Sequence, residues 1–591
     1  MTERLRRLWV ALRHFQSPAR DPLAAGALAA FIGLVVGYAA LGFRQAIAFV
    51  QTLAFGSGAE DIIAVVAALD WWHVIAAPVL GGVVVAALLR WTMKGGTALG
   101  VAEVIEANVV RAGQVPLGSG LASAAVATTA LGSGASVGRE GPVVHLGATL
   151  ASAVTRLLRA PPAFARLLLA CGVAAAVAAS FNAPIAGVFF AQEVVLGSYA
   201  LSAFAPIVVA SVIATIVTRI HIGDSPAFTI PDYHLASFWE MPAFLLLGLI
   251  AALVAIAFIR LTALFDDAFA RLPVPRWALP PAAGLIVGLA ALGLPELIGV
   301  GYGATNAALQ QSYGLELLLA LLAAKLLLTP LCVAARFGGG VFSPSLFLGA
   351  MTGGGFGLIA AMAVPGLETS HGFYAIVGMG AVSGAVLGAP ISTFLIVFEL
   401  TGGYQLTLAL MIATSVASLI TSRFYHAGFF AWQLSRRGVN PYEGRTRLAL
   451  RQHRVADVMQ EDYLSVAADA PLSRLRSLFE GTPADVIAVL GSDGQFLGLI
   501  EFRRLGRDLY DPRLDSLVVA GDLALPTAHW LRPDDHLATA LARMQGHGGN
   551  WLPVINAGEE PRLRALLSRR DLMAAVNRVL LDAEDEREGK K

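Results

Sequence analysis

From Leu23 to about Ser422 the chain is a succession of apolar runs built from Ala, Val, Leu and Gly. Ala24–Val50, His73–Trp91, Ala163–Ala179 and Leu315–Val333 each approach the ~20 residues that a membrane-spanning helix needs. Pro142–Leu158, Pro184–Leu196 and Pro390–Leu400 are shorter and open on proline. Short, broken helices at membrane depth are tolerated where they line a cavity, because their freed backbone groups must find partners. From Arg423 onward Arg, Asp and Glu become frequent, so the pattern predicts a soluble tail behind a polytopic helical membrane domain.

Composition sharpens the picture. The 591 residues are 56% hydrophobic and 14% charged, against about 45–50% and about 25% in an ordinary soluble domain. This excludes a soluble enzyme, a disordered chain or a nucleic-acid binder, and the net charge of +1 supplies no field to steer polyanions. Cys171 and Cys332 lie in apolar runs, so neither a disulfide framework nor a thiolate metal site is expected. Arg4, Arg6, Arg7, Arg13 and Arg20 face Glu3 alone near the N-terminus, with no apolar run and cleavage site behind them, so no signal peptide is expected. Positive-inside reasoning puts this end, and the charged tail with it, in the cytoplasm, with an even number of crossings between.

An internal duplication carries the first chemistry. Gly138-Arg-Glu-Gly-Pro-Val-Val-His-Leu-Gly-Ala148 aligns with Gly340-Val-Phe-Ser-Pro-Ser-Leu-Phe-Leu-Gly-Ala350. Ala183-Pro-Ile185 with Glu193 likewise matches Ala389-Pro-Ile391 with Glu399. Two related halves with interrupted helices at matching positions predict a transport site between them. In each motif the proline marks a first helical turn, and the glycines let backbone N–H groups approach a ligand. Two helix N-termini aimed at one point hold an anion without a full positive charge, weakly enough to release it. Glu140 is then an intramembrane acid beside that point. Its carboxylate either occupies the anion position as a displaceable gate or is a structural partner of Arg139.

With Gly138-Arg-Glu-Gly-Pro142, Gly340-Val-Phe-Ser-Pro344, Phe181-Asn-Ala-Pro184 and Phe398-Glu-Leu-Thr-Gly402, nearly the whole chain resembles the CLC family of chloride channels and chloride/proton antiporters. The resemblance implies a homodimer with one anion pathway per subunit, two inverted halves, Glu140 as the external gate, and the Val341 and Phe342 amides on the anion. With them it implies an anion-binding set of Leu99, Gly100, Arg139, Glu140, Gly141, Val341, Phe342 and Phe430.

Three departures stand against the family pattern. Where a GSGIP-type motif supplies a serine, this chain reads Gly96-Thr-Ala-Leu-Gly-Val-Ala-Glu103, which places Leu99 at the serine. Phe430 takes the place of a tyrosine donor, with Thr97 or Tyr425 as alternative donors. Each lost hydroxyl removes a hydrogen bond worth about 1 kcal/mol. The inward-facing glutamate of the antiporters falls on Val194, so an uncoupled anion channel or transporter is expected. A proton-coupled exchanger and a fluoride-selective relative are the alternatives. Gly134-Ala-Ser136-Val-Gly138 matches a hydrolase nucleophile pattern, but His145 is its one close base and no orienting acid is evident, so no enzyme is expected.

In the tail, Val455-Ala-Asp-Val-Met459 and Val519-Ala-Gly-Asp-Leu523 each open a unit of helix, apolar strands and closing helix. This resembles a pair of CBS modules, a fold that can hold an adenine nucleotide. Ser568 and Asp571 are its phosphate-side and ribose-side residues by that resemblance. The equivalent stretch of the first module, Glu501-Phe-Arg-Arg504, has arginine where the acid belongs, so one nucleotide site at most is expected; a purely structural pair is the alternative. The sequence thus predicts an all-α polytopic domain of two inverted halves over 23–440, CBS modules over 450–515 and 516–580, and charged flanks at 1–22 and 581–591, the last disordered. It is read as a bacterial-type inner-membrane protein, bounded by lipid, that passes chloride-like anions and requires no cofactor.

Overall fold

The structure, a computed structural model, describes residues 22–93, 96–224, 228, 237–364, 369–401, 404–425, 428–439, 450, 453–482, 484–506, 508–526, 529–547, 549–556 and 562–588. The arginine-rich segment before residue 22, and Gly402, lie outside these. The chain forms two compact units that part between Tyr442 and Glu443.

The first unit is all helical. Its helices are α1 (Pro22–Phe55), α2 (Ile63–Ala68), α3 (Trp71–Thr92), α4 (Val101–Val110), α5 (Leu117–Gly132), α6 (Glu140–Leu158), α7 (Pro162–Phe181), α8 (Pro184–Phe190) and α9 (Leu201–Ile222). They continue as α10 (Met241–Arg271), α11 (Leu279–Ala291), α12 (Tyr302–Leu309), α13 (Leu315–Ala334), α14 (Phe342–Ala363), α15 (His371–Leu387), α16 (Pro390–Thr401), α17 (Tyr404–Tyr425) and α18 (Phe429–Ser435). Among the described residues, eight helical stretches are long and apolar enough to cross a membrane. Trp71 and Trp91, both exposed, stand near the two ends of α3, about 30 Å apart at 1.5 Å per residue, which suits anchoring at the two faces of a bilayer.

The duplication is visible in the packing. α6 packs on α7, α7 on α8 and α9; α14 packs on α15, α15 on α16 and α17; and α8 meets α16. The glycines explain how closely the equivalent pairs cross. A Cβ at Gly147 would lie 2.4 Å from the Gly172 carbonyl, and one at Gly349 would lie 2.3 Å from the Gly378 carbonyl. Gly147 and Gly349 are the matched glycines of the two motifs, and in a membrane such small residues let helix backbones touch. α7 ends on Asn182 and α15 on Gly388, both left-handed, and Ala-Pro then starts the next short helix in each half. A π-turn over Ala191–Leu196 extends α8 and carries Glu193 and Val194.

The second unit holds two small α/β modules. In the first, β1 (Ser465–Ala467) pairs parallel with β2 (Val486–Leu490), which pairs antiparallel with β3 (Phe496–Glu501), and α19 (Leu472–Gly481) covers them. α20 (Phe502–Leu505) follows β3 directly, and α21 (Ala520–Leu523) opens the second module. There α22 (Leu537–Gly546) precedes the antiparallel pair β4 (Trp551–Ile555) and β5 (Leu563–Ser568), and α23 (Arg569–Glu588) closes it. Leu472, Leu475 and Phe479 on α19, and Leu537, Ala540 and Met544 on α22, bury the same helical face in each. α23 is helical through Glu588, where the charged composition predicts a disordered end; Leu572, Val576 and Val579 bury one face of its first half.

Candidate functional site

The two matched motifs meet through their glycines. Gly138 N–H donates to the Gly340 carbonyl at 2.6 Å and Gly340 N–H donates back to Gly138 at 2.7 Å. This isolated antiparallel bridge brings the N-termini of α6 and α14 together. Glu140 and Gly141 begin α6, Val341 immediately precedes α14 and Phe342 begins it, and the backbone N–H groups of all four have no acceptor among the described residues. Such orphan donors are what a helix start offers an anion.

Glu140 is 1% exposed, and its carboxylate occupies this junction. Oε2 accepts from the Ser343 N–H at 3.3 Å, so a carboxylate of the first half sits on the helix start of the second. Oε1 accepts from the Tyr302 hydroxyl at 2.6 Å. Arg139 is not its close partner: Arg139 Nε lies 3.8 Å from Oε1, whereas Arg139 Nη1 lies 2.5 Å from Glu60 Oε1. Arg139 is thus the closer partner of Glu60 and the more distant one of Glu140.

Glu140 stands between two cavities. One, of about 350 Å³, is lined by Leu99, Gly100, Glu140, Gly141, Val341, Phe342 and Phe430, and also by Thr97, Arg436 and Arg437. The other, of about 290 Å³, is lined by Arg44, Glu60, Arg139 and Tyr302. So seven of the eight residues expected on the anion share one cavity, and Arg139 faces the other. In that second cavity Arg44 Nη2 also reaches Glu60 Oε1, at 3.1 Å. Burial raises the tendency of Glu60 to hold a proton, but Arg139 and Arg44 outweigh it and keep the carboxyl below its usual range.

The α4 end of the cavity differs from the expectation. The Leu99 N–H donates to Ser123 Oγ at 2.7 Å, and that hydroxyl donates back to the Leu99 carbonyl at 2.9 Å. The Gly100 N–H donates to Glu103 Oε2 at 2.6 Å, and Glu103 Oε1 is held by Arg437 Nη1 at 2.6 Å. Both amides are spent inside the protein, so Leu99 and Gly100 contribute walls and not free donors. The reason is local: with no hydroxyl on residue 99, Ser123 on α5 and Glu103 on α4 satisfy the turn. Thr97 lines the cavity and Tyr425, half-buried at the end of α17, does not.

Phe430 is 7% exposed and rests edge-on against Phe429, with ring centroids 5.9 Å apart. Val194 meets Phe430, Ile105 and Leu387 around a void of about 20 Å³ that has no ionisable side chain in its lining. Its neighbour Glu193 accepts from the Ile391 N–H at 3.1 Å, the Ser392 N–H at 2.8 Å and the Ser392 hydroxyl. Glu399 does the same across the duplication, accepting from the Ile185 and Ala186 N–H groups at 2.9 and 2.7 Å. Each glutamate thus caps the short helix of the other half.

Ser136 is fully buried, with Oγ 3.3 Å from Thr329 Oγ1. In the second unit, Ser568 and Asp571 line a cleft of about 760 Å³ with Gln460, Thr482 and Asp485. Asp571 accepts from Gln460 Nε2 at 2.6 Å and from Ser568 Oγ at 2.5 Å. Glu501 and Ser568 end equivalent strands, and Arg504, exposed, takes the position of Asp571 in the first module.

Tyr302, Ser123 and Glu60 are the contributors that sequence reading missed. Tyr302 begins α12 after Gly301, left-handed at φ 89, in the turn Gly299-Val-Gly301. That glycine spacing before a short helix was the available signal.

Known proteins resemble this chain over most of its helical unit. The voltage gated chloride channel family profile matches residues 81–422, and a CBS domain profile matches residues 520–578. A ClcB-like chloride channel protein of Ralstonia nicotianae is 34% identical over 391 residues, 66% of this chain and 91% of that protein. The H(+)/Cl(-) exchange transporter ClcA of Vibrio cholerae is 36% identical over 298 residues, 49% of this chain and 64% of that one. Among solved structures, a slow cyanobacterial Cl-/H+ antiporter superposes with TM-score 0.63 at 22% identity, covering 70% of this chain and 97% of its own. A eukaryotic CLC transporter superposes with TM-score 0.60 at 18% identity, covering 95% and 98%. With matched helix starts facing a buried glutamate and a profile match across most of the helical unit, the chain belongs to the voltage gated chloride channel (CLC) family of anion channels and transporters.

Proposed function

We propose that this protein passes chloride-like anions between its two cavities through the position that the Glu140 carboxylate occupies, with Glu140 as the gate. The observation that carries this is the Ser343 N–H on Glu140 Oε2, beside the unpaired amides of Gly141, Val341 and Phe342. The carboxylate stands where an anion has donors and no competing charge at bonding distance. Protonation or displacement of Glu140 frees the position. Gly141, Val341 and Phe342 then coordinate the anion, Phe430 and Leu99 narrow its way, and Arg139 sets the potential of the second cavity. One such pathway per subunit of a homodimer is part of this reading.

Transport is uncoupled from protons in this reading. Val194 cannot carry a proton, and Glu193 is committed to capping α16. The ClcA relative favours the coupled alternative, and one measurement separates them. Purified protein in liposomes is expected to carry chloride with no stoichiometric proton movement, and Glu140→Gln to change the pH dependence of that flux. Proton pumping driven by a chloride gradient would replace the uncoupled reading. An unchanged pH profile in Glu140→Gln would remove Glu140 as the gate. Fluoride outrunning chloride in the same vesicles would favour the fluoride-selective alternative.

The tail fits a regulatory role. The donor set of its large cleft, a carboxylate at Asp571 for ribose hydroxyls and the Ser568 hydroxyl toward phosphate, suits an adenine nucleotide there. Titration calorimetry of the full chain with ATP tests this; one site per chain, lost in Asp571→Ala, is the expected result. Absence of heat would leave the modules a structural pair. Cytoplasmic placement of both termini in a bacterial inner membrane completes the reading, and protease accessibility in oriented vesicles checks it.

A further inference from the structure

We propose that Tyr302 is an anion ligand in this protein: its hydroxyl, which now donates to Glu140, turns to the anion that takes the carboxylate's place. This rests on the reading of Glu140 as the gate and adds a side-chain donor that fixes affinity at that position.

Tyr302 is 4% exposed and its hydroxyl lies 2.6 Å from Glu140 Oε1. Its ring is fixed from two sides. Phe228 packs edge-on at 5.0 Å between centroids, and the Arg139 guanidinium lies 4.6 Å over the ring face. The O–H therefore has little freedom to seek another acceptor. Its one alternative nearby is Ser343 Oγ, at 3.4 Å. When Glu140 leaves, the Tyr302 O–H and the Ser343 N–H, which serve its two oxygens, both border the vacated position, and the O–H keeps only the distant Ser343 Oγ as an acceptor. A buried donor left unsatisfied is costly, and an incoming anion removes that cost.

Charge cannot take over this role. Among the described residues, the charged or titratable side chains with a contact to the Glu140 carboxylate are Arg139, whose Nε is 3.8 Å from Oε1, and Tyr302; Glu60 lies beyond Arg139, and Glu103, Asp266, Arg336, Arg436 and Arg437 share the cavity that Glu140 lines. The anion is then held by neutral donors, and the loss of one O–H among so few is felt strongly. Donor bonds to a charged partner are the stronger kind. Because Tyr302 also lines the cavity of about 290 Å³, an anion arriving from that side meets the hydroxyl directly.

The test is Tyr302→Phe, which keeps the ring, its packing on Phe228 and the contact with Arg139. It is made in the native chain and in Glu140→Ala, both reconstituted in liposomes with chloride as the probe. In Glu140→Ala, adding Tyr302→Phe is expected to raise the half-saturating chloride about tenfold. With Glu140 present, Tyr302→Phe is expected to raise flux at saturating chloride, because the carboxylate loses a donor and is displaced more readily. Thermal unfolding in detergent with and without chloride guards against a folding defect. The proposal requires the chloride-dependent increment to shrink, whereas a merely weakened fold lowers both melts and keeps the increment. Unchanged half-saturation in the double variant overturns the proposal and leaves the gate standing. A flux and pH profile indifferent to Glu140→Ala alone overturns the gate reading, and this proposal with it.

Discussion

Gly138 and Gly340, matched positions of an internal duplication, donate to each other's carbonyls at 2.6 and 2.7 Å. This reciprocal pair joins the two halves at their matched motifs, and it sets the distance between the helix starts that face Glu140. A Cβ on Gly340 would lie 2.8 Å from the Gly141 nitrogen, and one on Gly138 would lie 2.9 Å from Pro344 Cδ. No side chain fits between them.

Gly340→Ala is therefore expected to abolish anion flux. Forcing a methyl into such a contact costs typically about 1–3 kcal/mol, and the backbone must shift to relieve it. A shift here moves the orphan amides off the anion position. Liposome flux, compared with the detergent melting temperature, separates the two effects; full flux in Gly340→Ala would show that the junction tolerates displacement.

Glu193 and Glu399 cap each other's half, so their removal is a matter of stability. Glu399→Ala leaves the Ile185 and Ala186 N–H groups without acceptors and is expected to lower stability by about 1–2 kcal/mol, as for a lost helix cap. Glu193→Ala is expected to lose a similar amount, since it strands Ile391 and Ser392. Neither should alter the proton-to-chloride ratio. Thermal unfolding and vesicle flux together check this; a changed ratio with unchanged stability would reassign Glu193 to proton transfer.

Arg437 links the inner turn to the chain that leaves the helical unit. Its guanidinium holds Glu103, and Glu103 caps Gly100. Arg437→Ala frees Glu103 without removing the cap. It is expected to lower stability modestly, by about 1 kcal/mol, since Arg437 is partly exposed although Glu103 is not, and to slow flux a few-fold by loosening the Leu99 wall. Flux equal to that of the native chain would confine Arg437 to the surface.

His547 gives the second unit an acid limit. Burial, then the nearby charge of His529, hold its imidazole below the usual histidine range, against Glu501, which pulls it up, and with Arg504 and Arg569 acting in the same direction as His529. A group that is harder to protonate folded than unfolded favours the folded state fully above its unfolded value of about 6.5. That contribution is lost as pH falls through this value toward the lower folded one. Hydrogen exchange of the full chain between pH 7.5 and pH 5, on the order of a histidine titration, is expected to show acid-induced loss of protection around β4 and β5. His547→Asn should flatten that dependence.

Much of this molecule was legible in its sequence, because the relevant physics is local. Apolar runs of membrane length must be helices, since lipid leaves backbone groups no other partners. Proline after glycine marks a helix start, and the repeat of that mark, with Glu193 and Glu399 at matching distances, gives the duplication. Leu99, Val194 and Phe430 likewise announce missing polar groups on identity alone. Tertiary structure decided which groups meet. Ser123 holds Leu99, Glu103 consumes the Gly100 amide, Glu60 lies closer to Arg139 than Glu140 does, and the Tyr302 hydroxyl donates to Glu140. Partners such as Tyr302 and Glu140 lie 162 positions apart, and no periodicity or motif encodes a meeting over that span. Hydrogen-bond satisfaction in a buried, water-poor site is a property of the packed whole, so it becomes readable when the halves have closed on each other.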